Sequence, residues 1–290
     1  MRIDQSGPAV TPVLAAAVRV QAEQICEEHL QRERLLQAGL VPSRTALFVG
    51  PPGVGKTLVA KWMAQHLGLP LLVLDLSSVM SSFLGRTGGN IRRVLDYAKA
   101  SPSVLLLDEL DTVAKRRDDG AEVGELKRLV TVLLQEIDDW PATSLLLAAT
   151  NHAGLLDPAV WRRFDAVLDF PLPDEEQLCQ ALDQYCEKEA DREVLAVVAK
   201  VLRSQDSSFA DAQRLASAAR RRAVLSEVPV ADALLDSCGQ QVRHLSFPER
   251  VRFAMELVQA DHMSQRRVCE LTGVSRDTIR DRLRRQTEQK

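Results

Sequence analysis

Short apolar runs alternate with helical stretches through the middle of the chain. Each run is strand-sized, rich in Val and Leu, and bounded by turn residues. Strands that are apolar at nearly every position are buried on both faces, which is typical of a parallel sheet covered by helices. The pattern therefore predicts an α/β fold for this region. The runs are "TALFV", "LLVLD", "VLLLD", "LLLAA" and "AVLDF".

The flanking regions have helical spacing without strand patterns. Residues 12–38 carry many charges and end at Gly39, and 174 to about 240 is helical throughout. "SFPER" at 246–250 opens a last helical segment. The predicted divisions are an N-terminal helical segment 1–40, an α/β core 41–172, a helical region 173–240 and a C-terminal segment 241–290.

Composition limits the function classes. The 290 residues are 27% charged and 46% hydrophobic with a net charge of −3, so nucleic-acid binding would have to be local. No apolar run reaches membrane-spanning length and no leader pattern opens the chain, so we expect a cytoplasmic protein with no membrane partner. The five cysteines lack C-x-x-C spacing, which predicts neither a zinc site nor a disulfide framework.

"GPPGVGKT" (50–57) follows one apolar run and opens a helix. This strand–loop–helix context is the one in which G-x-x-x-x-G-K-T cradles phosphate on backbone amides at a helix N-terminus. Lys56 can reach the β and γ phosphates, and the Thr57 hydroxyl suits Mg²⁺. The pattern predicts ATP and Mg²⁺ as ligands. The predicted ATP-binding residues are Gly50, Pro51, Pro52, Gly53, Val54, Gly55, Lys56, Thr57 and Leu58.

Two further strand ends carry polar side chains. "VLLLDELD" delivers Asp108 and Glu109 to the same edge of the sheet, where Asp108 can hold Mg²⁺ through its waters and Glu109 can deprotonate an attacking water. "LLLAATN" ends in Asn151, whose amide can position that water. The alternatives are acids that cap the next helix and a turn-forming Asn.

The order of "GPPGVGKT", "LLLDELD", "AATN", "LLDPAVWRRFD" and "FPLPD" resembles the AAA+ ATPases, particularly those that thread or remodel proteins. The resemblance covers roughly residues 35 to 225. It implies a five-stranded parallel sheet between helices, followed by an α-helical lid. It also implies Mg²⁺-dependent hydrolysis of ATP to ADP and phosphate, and assembly into a homo-oligomeric ring, usually a hexamer.

The same resemblance gives the two adjacent arginines a role. Asp157 and Pro158 suit the cap and first position of a short helix just before Arg162 and Arg163. In the resembled family, arginines here act as fingers that reach the γ-phosphate of a neighbouring subunit. The Pro-Gly that usually separates them is missing, so the sequence does not say which one is the finger. The alternative is a surface pair bound to nearby acids.

The resemblance also implies a pore loop and a protein substrate. In "SSFLGRTGGNIRRVLDYAK", Phe83, Leu84 and Gly85 match the residues that project into the ring channel and grip a polypeptide. The alternative is that Phe83 is a core residue. No H-E-x-x-H or G-x-S-x-G peptidase motif is present. The "VWRRFD" ending of this chain resembles that of compact bacterial ATPases that act beside a separate subtilisin-like peptidase. A separate peptidase is therefore one expected partner.

The C-terminal stretch "MSQRRVCELTGVSRDTIRDRLRR" resembles a DNA-binding helix-turn-helix, with Ser264 and Ser275 as caps. Residues 241–290 hold 11 Lys/Arg against 7 Asp/Glu, which favours phosphate contact. Two aspartates on the reading helix oppose it, and a hairpin for ring assembly or partner docking is the alternative. The predicted DNA contacts are Arg276, Arg280 and Arg284.

These observations predict a ring ATPase that remodels or unfolds a protein and is recruited to DNA by its tail. One alternative is a DNA-acting motor or loader, against which Phe83 argues because basic loops would suit a phosphate backbone better. A second is a nucleotide-dependent transcriptional switch, in which hydrolysis times DNA occupancy.

Overall fold

The computed structural model describes residues 2–4, 11–78, 87–112, 123–259 and 264–287. The chain divides into two compact units, Met1–Pro171 and Leu172–Lys290. None of the helices in these described ranges has the length and apolar character needed to cross a membrane.

The first unit is built on a sheet in which five strands run parallel. The most apolar runs form β2 (Thr45–Val49), β4 (Val104–Asp108) and β5 (Leu145–Thr150), and their side chains are almost all buried because helices cover both faces of the sheet. The spatial order is β1-β3-β4-β5-β2-β6. The predicted five-stranded parallel α/β fold is confirmed. The strands are β1 Arg2–Asp4, β2 Thr45–Val49, β3 Leu71–Asp75, β4 Val104–Asp108, β5 Leu145–Thr150 and β6 Ala166–Asp169.

Strand β1 is an addition that the sequence pattern did not indicate. It pairs antiparallel with β3 at the edge of the sheet, with Ile3 opposite Leu72. A three-residue strand is too short to show an alternating pattern, so it depends on the edge it joins.

Helices flank this sheet. The N-terminal helix packs onto the first unit through an apolar stripe that includes Val18, Ala22 and Ile25, all buried. It contacts the helix that follows the glycine-rich loop. The helices of the first unit are α1 Ala16–Leu30, α2 Arg32–Gln37, α3 Lys56–His66, α4 Thr87–Lys99, α5 Val123–Asp138 and α6 Pro158–Trp161.

The second unit is helical. Asp174 and Ser208 begin two of its helices with reciprocal capping boxes, which stabilise the first turns. The helices are α7 Glu175–Tyr185, α8 Arg192–Ser204, α9 Phe209–Ser226, α10 Val230–Arg243, α11 Phe247–Gln259, α12 Gln265–Thr272 and α13 Arg276–Thr287.

One hydrophobic cluster extends through this second unit. It includes Leu178 near the start, Cys238 in α10 and Ile279 in α13, each fully buried. The predicted boundary at residue 240 falls inside α10, so the helix continues across it. The finer division into a lid and a C-terminal segment stays a prediction.

Candidate functional site

The glycine-rich loop connects β2 to α3 in a path that one glycine makes possible. Gly50 has a φ of 154°, and an added Cβ there would lie 2.2 Å from the carbonyl oxygen of Phe170. No side chain fits at that distance. The close approach places the start of the loop against the end of β6, and Gly55 at the other end directly precedes α3.

Lys56, at the start of α3, is buried and fully hydrogen-bonded. Its ammonium donates to the carbonyl oxygens of Gly50 at 2.7 Å and Pro51 at 2.9 Å, and to Oδ1 of Asn151 at 2.8 Å. Burial lowers the pKa of Lys56, while the carboxylates of Asp108 and Asp111 act in the opposite direction. Two predicted site residues, Lys56 and Asn151 at the end of β5, are therefore in direct contact.

Thr57 and Asp108 place two hard oxygen donors side by side. The Thr57 hydroxyl donates to Oδ2 of Asp108 at 3.4 Å across the edge of the sheet. Burial raises the pKa of Asp108, and the negative charge of Glu109 adds to that rise, while the hydrogen bond from the Glu109 amide and the charge of Lys56 oppose it. A hydroxyl and a carboxylate next to the predicted phosphate-binding lysine are oxygen donors of the kind that Mg²⁺ prefers.

Glu109 directly follows β4 in a left-handed conformation, with a φ of 57°. Such a conformation costs a non-glycine residue about 1 kcal/mol or more and is found preferentially at functional sites. Local hydrogen bonds hold it: the Glu109 amide donates to Oδ1 of Asp108 at 3.0 Å, and the Leu110 amide donates to the Ala149 carbonyl at 2.9 Å. The backbone around the predicted general base is therefore hydrogen-bonded to the ends of β4 and β5.

Asp111 belongs to this site although sequence reasoning did not single it out. It is only 4% exposed, and its Oδ1 accepts hydrogen bonds from the Thr150 hydroxyl at 3.2 Å and the Asn151 amide at 3.3 Å. It thereby anchors the end of β5 that carries Asn151. The signal available in the sequence was the second aspartate of "DELD", three residues after Asp108.

Asp75 is a second missed carboxylate. It lies opposite Asp108 in the register of β3 and β4. Its oxygens accept hydrogen bonds from the hydroxyls of Ser77 and Ser78, which lower the pKa of Asp75. It is the last residue of β3 and adds negative charge near Asp108.

The structure distinguishes the two arginines. Asp157 caps α6 by accepting from the Ala159 amide at 2.8 Å, and Pro158 occupies the first turn as the sequence predicts. Arg163 forms an ion pair with Asp138 of the same chain. The exposed Arg162 guanidinium forms no ion pair within the described part of the chain.

The other predicted site residues lie elsewhere. Phe83, Leu84 and Gly85 fall outside the described residues. Arg276, Arg280 and Arg284 are exposed on α13 of the second unit. The predicted serine caps form: the Ser264 hydroxyl accepts from the Arg267 amide and the Ser275 hydroxyl from the Thr278 amide.

A glycine-rich loop between a buried strand and a helix, with its lysine and threonine beside a strand-end carboxylate, defines a P-loop nucleotide-binding domain. Residues 46–172 match the family described as "ATPase family associated with various cellular activities (AAA)". This part of the chain is an AAA ATPase domain.

Two relatives show how far the similarity extends. An uncharacterized AAA family ATPase, y4kL, of Sinorhizobium fredii is 45% identical over 160 residues, which are 55% of this chain and 48% of that protein. A proteasome-activating nucleotidase of Methanopyrus kandleri is 35% identical over 164 residues, 54% of this chain and 38% of that protein. The chain thus spans about half or less of the length of these relatives.

Proposed function

We propose that this protein hydrolyses ATP in a ring of identical subunits and uses the energy to remodel or unfold a protein substrate. The observation that carries the proposal is a pair of contacts at one edge of the sheet, Lys56 with Asn151 and Thr57 with Asp108. Phosphate, a divalent cation and an attacking water each find a suitable group there.

The roles follow from the chemistry of each side chain. Lys56 binds the β and γ phosphates, and Thr57 and Asp108 hold Mg²⁺. When bound, Mg²⁺ neutralises charge on the phosphate oxygens. Glu109 accepts the proton of the attacking water, and Asn151 orients that water.

Arg162 is the better candidate for the finger that acts on a neighbour's γ-phosphate. Arg163 is already paired with Asp138 in its own chain, so its charge has a local structural role. An exposed guanidinium without such a pair can bind an anion on another subunit without first losing an ion pair in its own chain. The site is therefore complete only when a second copy supplies Arg162.

A protein substrate is supported by two observations. Phe83, Leu84 and Gly85 match an aromatic pore loop in sequence, and one relative is named a proteasome-activating nucleotidase. A separate peptidase is a proposed partner, because that relative is named for activating a proteasome.

Binding and turnover separate the proposed roles. Glu109→Gln should keep ATP affinity but lose about a hundredfold or more in turnover, because the water loses its base while the magnesium ligand remains. Lys56→Ala should weaken nucleotide binding itself. Phosphate release and binding of a fluorescent ATP analogue measure the two effects, and a Glu109→Gln protein with near wild-type turnover would remove Glu109 from the mechanism.

Recruitment to DNA is a second candidate function. Its support is the serine-capped pair α12 and α13, joined by a turn at Gly273 with φ of 66°, and the exposed arginines of α13. Whether an unfolded polypeptide or duplex DNA stimulates ATP turnover distinguishes the protein remodeller from a DNA motor or loader. A transcriptional switch would instead show nucleotide-dependent DNA binding with no stimulation by polypeptide.

A further inference from the structure

The hydrogen bonds of Lys56 have a consequence for nucleotide binding. A lysine ammonium has three protons, and protein oxygens of Gly50, Pro51 and Asn151 accept all of them. A phosphate oxygen must therefore displace at least one of these acceptors before Lys56 can bind it.

Asn151 is the acceptor most suited to be displaced. The other two oxygens belong to the backbone of the loop itself, and Lys56 and the loop are close neighbours in the chain. Asn151 directly follows β5 and lies 95 residues from Lys56 in sequence. A side-chain amide can rotate away from Lys56 without moving the sheet.

Asp111 holds the backbone at Asn151 in place. The buried Asp111 carboxylate accepts hydrogen bonds from the Asn151 backbone amide and from the hydroxyl of the preceding Thr150. The backbone of β5 is thereby held at a point from which the amide oxygen contacts Lys56. The contact between Asn151 and Lys56 thus depends on residues that follow three strands, β2, β4 and β5.

We propose that Asn151 acts as a latch on Lys56. Its amide oxygen competes with phosphate for the Lys56 ammonium and thereby weakens nucleotide affinity. The latch rests on the proposed function of this loop as the ATP site. Once the Asn151 amide has left Lys56, it can orient the attacking water. The same side chain therefore first weakens nucleotide binding and then assists ATP hydrolysis. Asp111 is the positioning residue of this latch.

ADP binding tests the latch apart from hydrolysis. ADP has no γ-phosphate, so the role of Asn151 toward the water and the γ-phosphate does not contribute to its affinity. Asn151→Ala should bind ADP at least about tenfold more tightly than wild type, since one hydrogen bond to a charged group no longer opposes binding. Its ATP turnover should fall. Asn151→Ser, which is too short to reach Lys56, should show the same gain.

His152→Ala is the matched control. It changes the next residue, whose side chain is exposed and makes no hydrogen bond in the described structure, so ADP affinity should not change. Thermal unfolding without nucleotide checks that all variants are folded. A purely structural Asn151 would give equal or weaker ADP binding in both variants, and that result overturns the latch. Wild-type protein that does not bind ADP at all would instead refute the proposed function.

Discussion

Replacing Ile279 with alanine tests whether the C-terminal helix belongs to the core of the second unit. Ile279 is fully buried in the cluster that also contains Cys238 of α10. Large-to-small changes at such positions cost about 2–5 kcal/mol. A loss of about 3 kcal/mol raises the open population of the unit about a hundredfold.

Cys238 provides the assay. Burial raises the pKa of its thiol to about 12, so it reacts with an alkylating reagent only when the unit opens. Peptide mass spectrometry of pulse-labelled full-length protein measures its rate separately from the other cysteines. The rate should rise about a hundredfold in Ile279→Ala. Tryptophan fluorescence should stay unchanged, because Trp62, Trp140 and Trp161 all belong to the first unit.

Leu225→Ala is the matched control, since Leu225 is 84% exposed on α9 of the same unit. It should change the Cys238 labelling rate little. An unchanged rate in Ile279→Ala would refute the shared core and show that α13 folds independently. Because α11, α12 and α13 contribute buried residues to this cluster, deleting them would damage the second unit, so substitution of the exposed arginines is the cleaner test of DNA binding.

Further predictions concern the site, the ring and the tail. Arg162→Ala should bind ATP normally but hydrolyse it poorly, and mixing with Glu109→Gln subunits should restore some turnover; no recovery in mixed rings of confirmed composition would argue against action between subunits. Gly50→Ala should lower the melting temperature of the first unit through its clash with Phe170, whereas Gly154→Ala, with open space around it, should not; equal melting temperatures would contradict the close approach. Replacing Arg276, Arg280 and Arg284 together should abolish salt-sensitive duplex binding in gel shifts, and absence of such binding in wild type at low salt would exclude the DNA reader.

The sequence by itself predicted the fold class of the first unit and the glycine-rich loop of its candidate site. Buried parallel strands require uninterrupted apolar runs, and the phosphate loop requires glycines at set spacings followed by Lys56 and Thr57. Both requirements are local, so they can be recognised without coordinates. The carboxyl ends of parallel strands meet at one edge, which is why Asp108 and Asn151 could also be expected near Lys56.

Only the tertiary structure decided which of these residues touch. Asp111 anchors Asn151, and Asn151 contacts Lys56, through hydrogen bonds between separate strand ends. Arg163 differs from Arg162 because Asp138 of α5 lies beside it. The helix-turn-helix pattern likewise did not show that Ile279 shares a core with the helices before it. Such contacts join residues distant in the chain, and no local spacing encodes them.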